Sequence, residues 1–347
     1  MLDKSWLARR ALTTAWGSQL LIFTVCNGPY SPVASTWHKS VERVGLARHA
    51  VIFAADATAA CVLAANDLDD HTYILGSRLP PVSVGRAVRN TSIAWSISST
   101  WRCNTSLPAL RFRVLAAISP MGFDLLYSDA DMQWLASPLG ALARIVAAAS
   151  QQTGSSVAYG LATSRGSYPL DLSKRWGATA CTGVIFTYGT LPPAFWARLS
   201  RYGKYGSRSV YDSRENDQYN FNHMLADLRV QWPEKPLLYR DSNSTTTSLL
   251  CLPSGHVNAF GVAVRRQGPC SSPLSFTLLS FTEFPRVECE QSWPPETILL
   301  HCVSSTYKAN AKHIDSNVKR NGEATCKREA SIIDHNQSCS YEPHRAG

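Results

Sequence analysis

Asp129 and Asp131 stand two residues apart in FDLLYSDADMQWL, and carboxylates at that spacing can converge on one hard divalent cation. Adjacent side chains at a strand end diverge, whereas alternate ones can share an ion or divide their work between the ion and a ribose. A cation held there can carry the phosphates of a nucleotide and stabilise a departing diphosphate. Taken alone, the pair also reads as a solvated turn. Phe123, Leu125, Leu126 and Tyr127 before it, and the WL-x-x-P after it, favour the site. They read as a short buried strand whose carboxyl end opens on the crevice of an α/β sheet.

The elements that must position this pair follow in order. LLIFTV reads as a strand, SPVASTWHKSVERVGL as an amphipathic helix, and AVIFAADA as a second strand ending in Asp56. Strand, crossover helix and strand favour a parallel sheet, and they set Asn27 and Asp56 where two strand ends open on one crevice. Asp56 keeps two readings, an N-cap for ATAACVLAAN or a contact to a nucleotide base or ribose. Residues 76–106, rich in Gly, Pro, Ser and Arg, read as a long surface excursion. RFRVLAAISPMGF reads as a helix ending near Pro120 and Gly122. Its Arg113 is either a bidentate partner for donor phosphate or sugar, or a surface charge.

After the acidic strand, GALARIVAAAS reads as a helix, and SSVAYGLA and ACTGVIFTYG as strands. Gly183 interrupts the second of these and marks a bulge or a close backbone approach. LPPAFWARLSRYG follows as a helix with proline at its start. ENDQYNFNHMLADL sets Asp217, Gln218 and Asn222 on or just before a helix. From about residue 235 the chain is loop-rich with short strands, and PETILLHCVSS sets His301 just after an apolar one.

At 347 residues the chain can bury a substantial core, and no linker divides it. The formal charge of +9 suits anionic substrates, but the charges are spread along the chain without an aromatic-basic module, so no nucleic-acid partner is expected. Ten cysteines without a C-x-x-C pair argue against zinc and for disulfides in a secretory compartment. Sequons begin at Asn90, Asn104, Asn243 and Asn336. The amino terminus has basic residues before an apolar stretch, but Thr13, Thr14, Ser18 and Gln19 interrupt it. No run reaches the length of a membrane span, so the expectation is that any anchor is missing from this chain.

With these pieces in order, the chain resembles the nucleotide-diphospho-sugar transferase family of GT-A glycosyltransferases, nearest to the plant and algal arabinosyl- and xylosyltransferase group. The carriers are VCNGPY with AVIFAADA, MGFDLLYSDADMQWLASPL, CTGVIF followed by LPPAFW, NDQYNFN and LLHC, spread over about residues 20–308. The resemblance implies an α/β fold of GT-A type, a Rossmann-like, mostly parallel sheet flanked by helices. It implies one GT-A domain, set at residues 20–316, while composition makes 1–19 a lead-in and 317–347 a polar, basic tail of the kind that can stay disordered. It also implies a UDP-sugar donor, Mn2+ or Mg2+, a glycan or glycoprotein hydroxyl as acceptor, retention of configuration, and a place in the Golgi lumen.

Carried over by position, Asp129 lies near ribose and metal, Asp131 is the main metal ligand and His301 the third. Asp217 orients sugar hydroxyls and Gln218 lies close to the anomeric carbon. Asn27, Asp56, Arg113, Gly183 and Lys308 complete the donor-binding set. The chain departs from the family pattern in two places. Cys181 and Thr182 stand where related enzymes tend to place an asparagine, and only Lys308 and Lys312, without a glycine, follow His301 where a glycine-lysine diphosphate clamp is expected. Two other readings remain. One is a nucleotide-sugar or glycan-binding homologue without turnover, and the other a phosphatase with Asp129 as nucleophile. The earlier strands and Met132-Gln133 oppose the second.

Overall fold

The computed structural model describes residues 2–75, 107–153, 159–191, 195–196, 199, 217–228, 230, 245–251, 273–287 and 294–302. The excursion at 76–106, all four sequons, Lys308, Lys312 and the tail lie outside the described residues. So does most of the helix expected over LPPAFWARLSRYG.

The amino-terminal lead-in folds onto the core. Helix α1 (Lys4–Arg10) is capped by the Asp3 carboxylate, which accepts from the Ser5 amide at 2.8 Å and the Trp6 amide at 3.1 Å, and it buries Leu7. Strand β1 (Leu12–Thr13) then pairs antiparallel with β2 (Gln19–Cys26). The expected β-α-β opening is present as β2, α2 (Ser31–Arg43) and β3 (Ala50–Ala54). It continues through α3 (Ala57–Ala64) to β4 (Thr72–Ile74).

After the excursion come α4 (Leu107–Ile118), β5 (Asp124–Ser128), β6 (Met132–Trp134) and α5 (Leu139–Thr153). They are followed by β7 (Gly160–Gly166), α6 (Leu170–Trp176), β8 (Thr179–Tyr188) and α7 (Asp217–Asp227). The last described strands are β9 (Thr246–Cys251), β10 (Pro273–Leu278), β11 (Arg286–Val287) and β12 (Leu299–Cys302).

A main sheet runs β4-β3-β2-β5-β8-β7-β10-β9, with β1 added on β2. Strands β4, β3, β2 and β5 are mutually parallel, β8 is antiparallel to both of its neighbours, β10 is parallel to β7, and β9 closes the edge antiparallel. The architecture is thus the α/β, Rossmann-like, mostly parallel sheet that the sequence implies. Near-continuous apolar strands account for it, because a sheet covered by helices on both faces buries every residue of its central strands. Leu21, Phe23 and Val25 of β2 face α4 and α7 with Val51, Phe53, Leu125 and Tyr127. Leu20, Ile22 and Cys26 face α2, α3 and α5 with Ile52, Ala54 and Leu126.

Two features went unread in the sequence. Strand β7 runs to Gly166, beyond the Ala162 limit of the expected SSVAYGLA strand, and a three-stranded sheet β11-β12-β6 stands apart from the main one. Its strands are too short to show periodicity, yet it fixes the site. No helix among the described residues is long and apolar enough to cross a membrane.

Candidate active site

Asp129 and Asp131 occupy the turn where the chain leaves the main sheet for the small one. Alternation along β5 sends Leu125 and Tyr127 to the α4 side, and Asp129 continues that register beyond the strand end. Its amide donates to the Gly183 carbonyl at 2.8 Å, and its own carbonyl accepts from Met132 at 3.0 Å. Ser128, on the opposite face, is pinned by the indole N–H groups of Trp37 at 2.7 Å and Trp134 at 3.3 Å. The turn is therefore held from both sides of the sheet.

Antiparallel pairing of β12 with β6 sets His301 across from Met132, one residue past Asp131. His301 thus lies within its strand rather than just after it. One ligand atom each from Asp129, Asp131 and His301 lies within 4.8 Å of the others, and His301 Nε2 is 3.5 Å from Asp131 Oδ1. Asp129 and Asp131, two apart in one turn, meet the distant His301 because one short ladder brings it across.

Gly183 makes this meeting sterically possible. A Cβ there would stand 2.7 Å from both Cε1 and Nδ1 of His301 and 3.3 Å from Asp129 Oδ2. The sequence reading of a bulge or close approach holds on both counts, since the β7–β8 register jumps from Thr163 opposite Ile185 to Ser164 opposite Cys181. The bulge turns Cys181 and Gly183 toward His301 while Thr182 faces α7. Cys181 Sγ lies 3.8 Å from His301 Nδ1, and Thr182 donates to Asp217 Oδ2 at 3.2 Å.

Arg111 joins the acidic turn to α7. Its guanidinium contacts Asp129 at 2.6 Å, pairs with Asp217, and donates to the Thr182 carbonyl at 3.0 Å. Tyr127 also donates to Asp129. The arginine that meets the acids is thus Arg111, while Arg113 stands half-buried on the same helix. Arg111 was legible in principle, because it shares the helical stripe of Leu115 and Ile118, and a charge on an apolar stripe needs a partner.

Asp217 and Gln218 begin α7, and Asn222 one turn on pins that helix to β8. Its amide accepts from the Ala180 N–H and donates to the Ala180 carbonyl, both at 2.8 Å. Gln218 Nε2 donates to the Tyr168 carbonyl at 2.7 Å and its Oε1 accepts from Arg286 at 3.4 Å. Asn27 and Asp56 stand at the ends of β2 and β3, as expected. Asp56 caps α3 through the Ala59 amide at 2.7 Å and accepts from the Gly28 amide at 3.0 Å, so the cap reading is realised.

Burial and charge set the electrostatics. Burial opposes charge on His301, but Asp131 and Cys181 outweigh it and raise its pKa to about 10. Burial pushes the Cys181 thiol up, while His301 and Arg286 pull it to about 7. Asp217 is raised by burial and by Asp129 against the pull of Arg111, and Arg111 stays charged because Asp129 and Asp217 outweigh its own burial. The pocket thus favours positive charge beside Asp131. Two carboxylates and one imidazole suit a divalent ion, and the Asp129 side chain, 25% exposed, leaves the site open on one side.

The family model for nucleotide-diphospho-sugar transferases matches residues 45–260, more than half of the chain. No curated protein matches. Among solved structures, the chain is similar to mouse xyloside xylosyltransferase 1 in its apo form, at 13% identity over 83% of this chain and 98% of that one, with a TM-score of 0.37. It is similar to the galactosyltransferase LgtC in complex with donor and acceptor sugar analogues, at 12% identity over 57% and 69% of the two chains, with a TM-score of 0.30.

Proposed function

The chain belongs to the nucleotide-diphospho-sugar transferase family, and from that premise we propose that it is a metal-dependent glycosyltransferase that moves a sugar from a UDP-linked donor to a glycan or glycoprotein hydroxyl with retention of configuration. The observation that carries the metal dependence is the convergence of Asp129, Asp131 and His301 over Gly183. These three residues would hold Mn2+ or Mg2+, and the imidazole tilts the choice to Mn2+. When bound, such an ion supplies Lewis-acid stabilisation to the leaving diphosphate.

The protein's own groups do the remaining work. Arg111 neutralises Asp129 and Asp217 together, so both carboxylates keep fixed positions in a buried setting. Asp217 orients sugar hydroxyls from the start of α7. Gln218, anchored at the Tyr168 carbonyl, keeps acceptor capacity on Oε1 for the developing positive charge at the anomeric carbon. Asn27 and Asp56 border the crevice that would take the nucleoside, and Lys308 is retained as a candidate phosphate contact. A Golgi-lumenal location is supported by the ten cysteines without a C-x-x-C pair and by the sequons.

A screen of UDP-sugars with Mn2+, reading UDP release, tests the proposal. One donor should be turned over, turnover should vanish with chelator and in Asp131→Ala, and the product anomer should match the donor. Absence of release with every donor, while nucleotide still binds, would instead favour the binding homologue.

A further inference from the structure

We infer that Cys181 is a positioning residue for His301, holding the imidazole in the tautomer and orientation that present Nε2 to a divalent ion beside Asp131. The inference rests on the proposed metal site. A neutral imidazole can offer a lone pair from one ring nitrogen only when the proton sits on the other, and that proton needs an acceptor. The two nitrogens of His301 have different neighbours. Nε2 is 3.5 Å from Asp131 Oδ1, and Nδ1 is 3.8 Å from Cys181 Sγ. Because they point in divergent directions, Cys181 addresses the nitrogen turned away from Asp131 and is placed to accept its N–H rather than to join the ligand set.

The ring has little freedom to escape this arrangement. Its edge lies against Gly183, where a Cβ would meet Cε1 and Nδ1 at 2.7 Å, and β12 fixes its backbone against β6. Cys181 borders the bulge of β8 and Gly183 lies within it, so the same strand supplies the ring's floor and its acceptor. Cys181 and His301 are both buried, and no water need compete for the N–H. This gives a role to Cys181, one of the two residues that stand where related enzymes tend to place an asparagine.

The test is a Mn2+ titration of the full chain followed by electron paramagnetic resonance, with imidazole 15N spectra of the protein loaded with diamagnetic Mg2+, where a ligating His301 is neutral. Cys181→Ala should weaken Mn2+ about tenfold or more, the range for loss of an outer partner of a ligating histidine. Cys181→Ser, which keeps an acceptor on a shorter arm, should recover part of that loss. The His301 15N shifts should report Nδ1–H in the parent and a tautomer mixture in Cys181→Ala at unchanged melting temperature. Parent-like Mn2+ affinity and parent-like shifts in Cys181→Ala, with Asp131→Ala losing Mn2+, would overturn the positioning role alone. Absence of Mn2+ binding by the parent would overturn the metal reading and this inference together.

Discussion

Arg111 lies 2.6 Å from Asp129 Oδ1 and ties the acidic turn to the start of α7 through the same guanidinium. Removing it strands two carboxylates that are largely shielded from water. Arg111→Ala should destabilise the fold by about 3 kcal/mol, the scale for breaking a buried ion pair. Urea unfolding followed by circular dichroism measures this. Arg111→Lys should recover only part, since an ammonium lacks the fork that spans both partners.

Gly183→Ala should cost the metal site more than the fold. The new methyl would press on the His301 ring at 2.7 Å, so the imidazole must withdraw from Asp131 or the strands must part. Mn2+ affinity should fall at least about tenfold, as for other losses of ligand orientation. Unchanged affinity would show that the ring's contact with Gly183 does not set its position.

How much of this was legible in sequence follows from the range of each signal. The β-α-β opening, the acidic strand and the start of α7 are local patterns, and the structure has each of them. His301 follows from family position, while its placement depends on β6 pairing with β12 across more than 160 residues, and strands of three and four residues leave no periodic trace. Arg111 and Arg113 stand in one short run, and only the helical phase separates the buried one from its neighbour. The contact of Cys181 with His301 depends on a bulge that reverses the facing of β8, and no composition rule specifies where it falls.

Gln218 should govern turnover rather than donor affinity. Its amide is already fixed by the Tyr168 carbonyl, so Gln218→Ala removes the group proposed to lie near the reacting carbon without opening the nucleotide crevice. Steady-state kinetics on the preferred UDP-sugar should show kcat falling about a hundredfold with KM little changed, the pattern of an interaction made in the transition state. A rise in KM at constant kcat would reassign Gln218 to ground-state binding.

Acid should weaken the fold through His38. Burial, with the nearby His71 and Arg10, lowers its pKa from 6.5 to about 4, and its ring centroid lies 4.4 Å from that of His71. Between those values the unfolded chain binds a proton that the native chain does not, so this part of the stability is complete above about pH 6.5 and is lost as pH falls toward 4. Melting temperature should drop across that window in the parent and less steeply in His38→Leu. Parallel profiles would remove His38 from the account.

In the proposed function, Asp129, Asp131 and His301 form one site for a divalent ion that serves the nucleotide. Titration of Mn2+ into the chain with and without UDP, read by electron paramagnetic resonance, tests it most directly. One ion should bind per chain, more tightly with UDP present, and binding should be lost in both Asp131→Asn and His301→Ala. Mn2+ binding that survives both substitutions, or none even with saturating UDP, would contradict it.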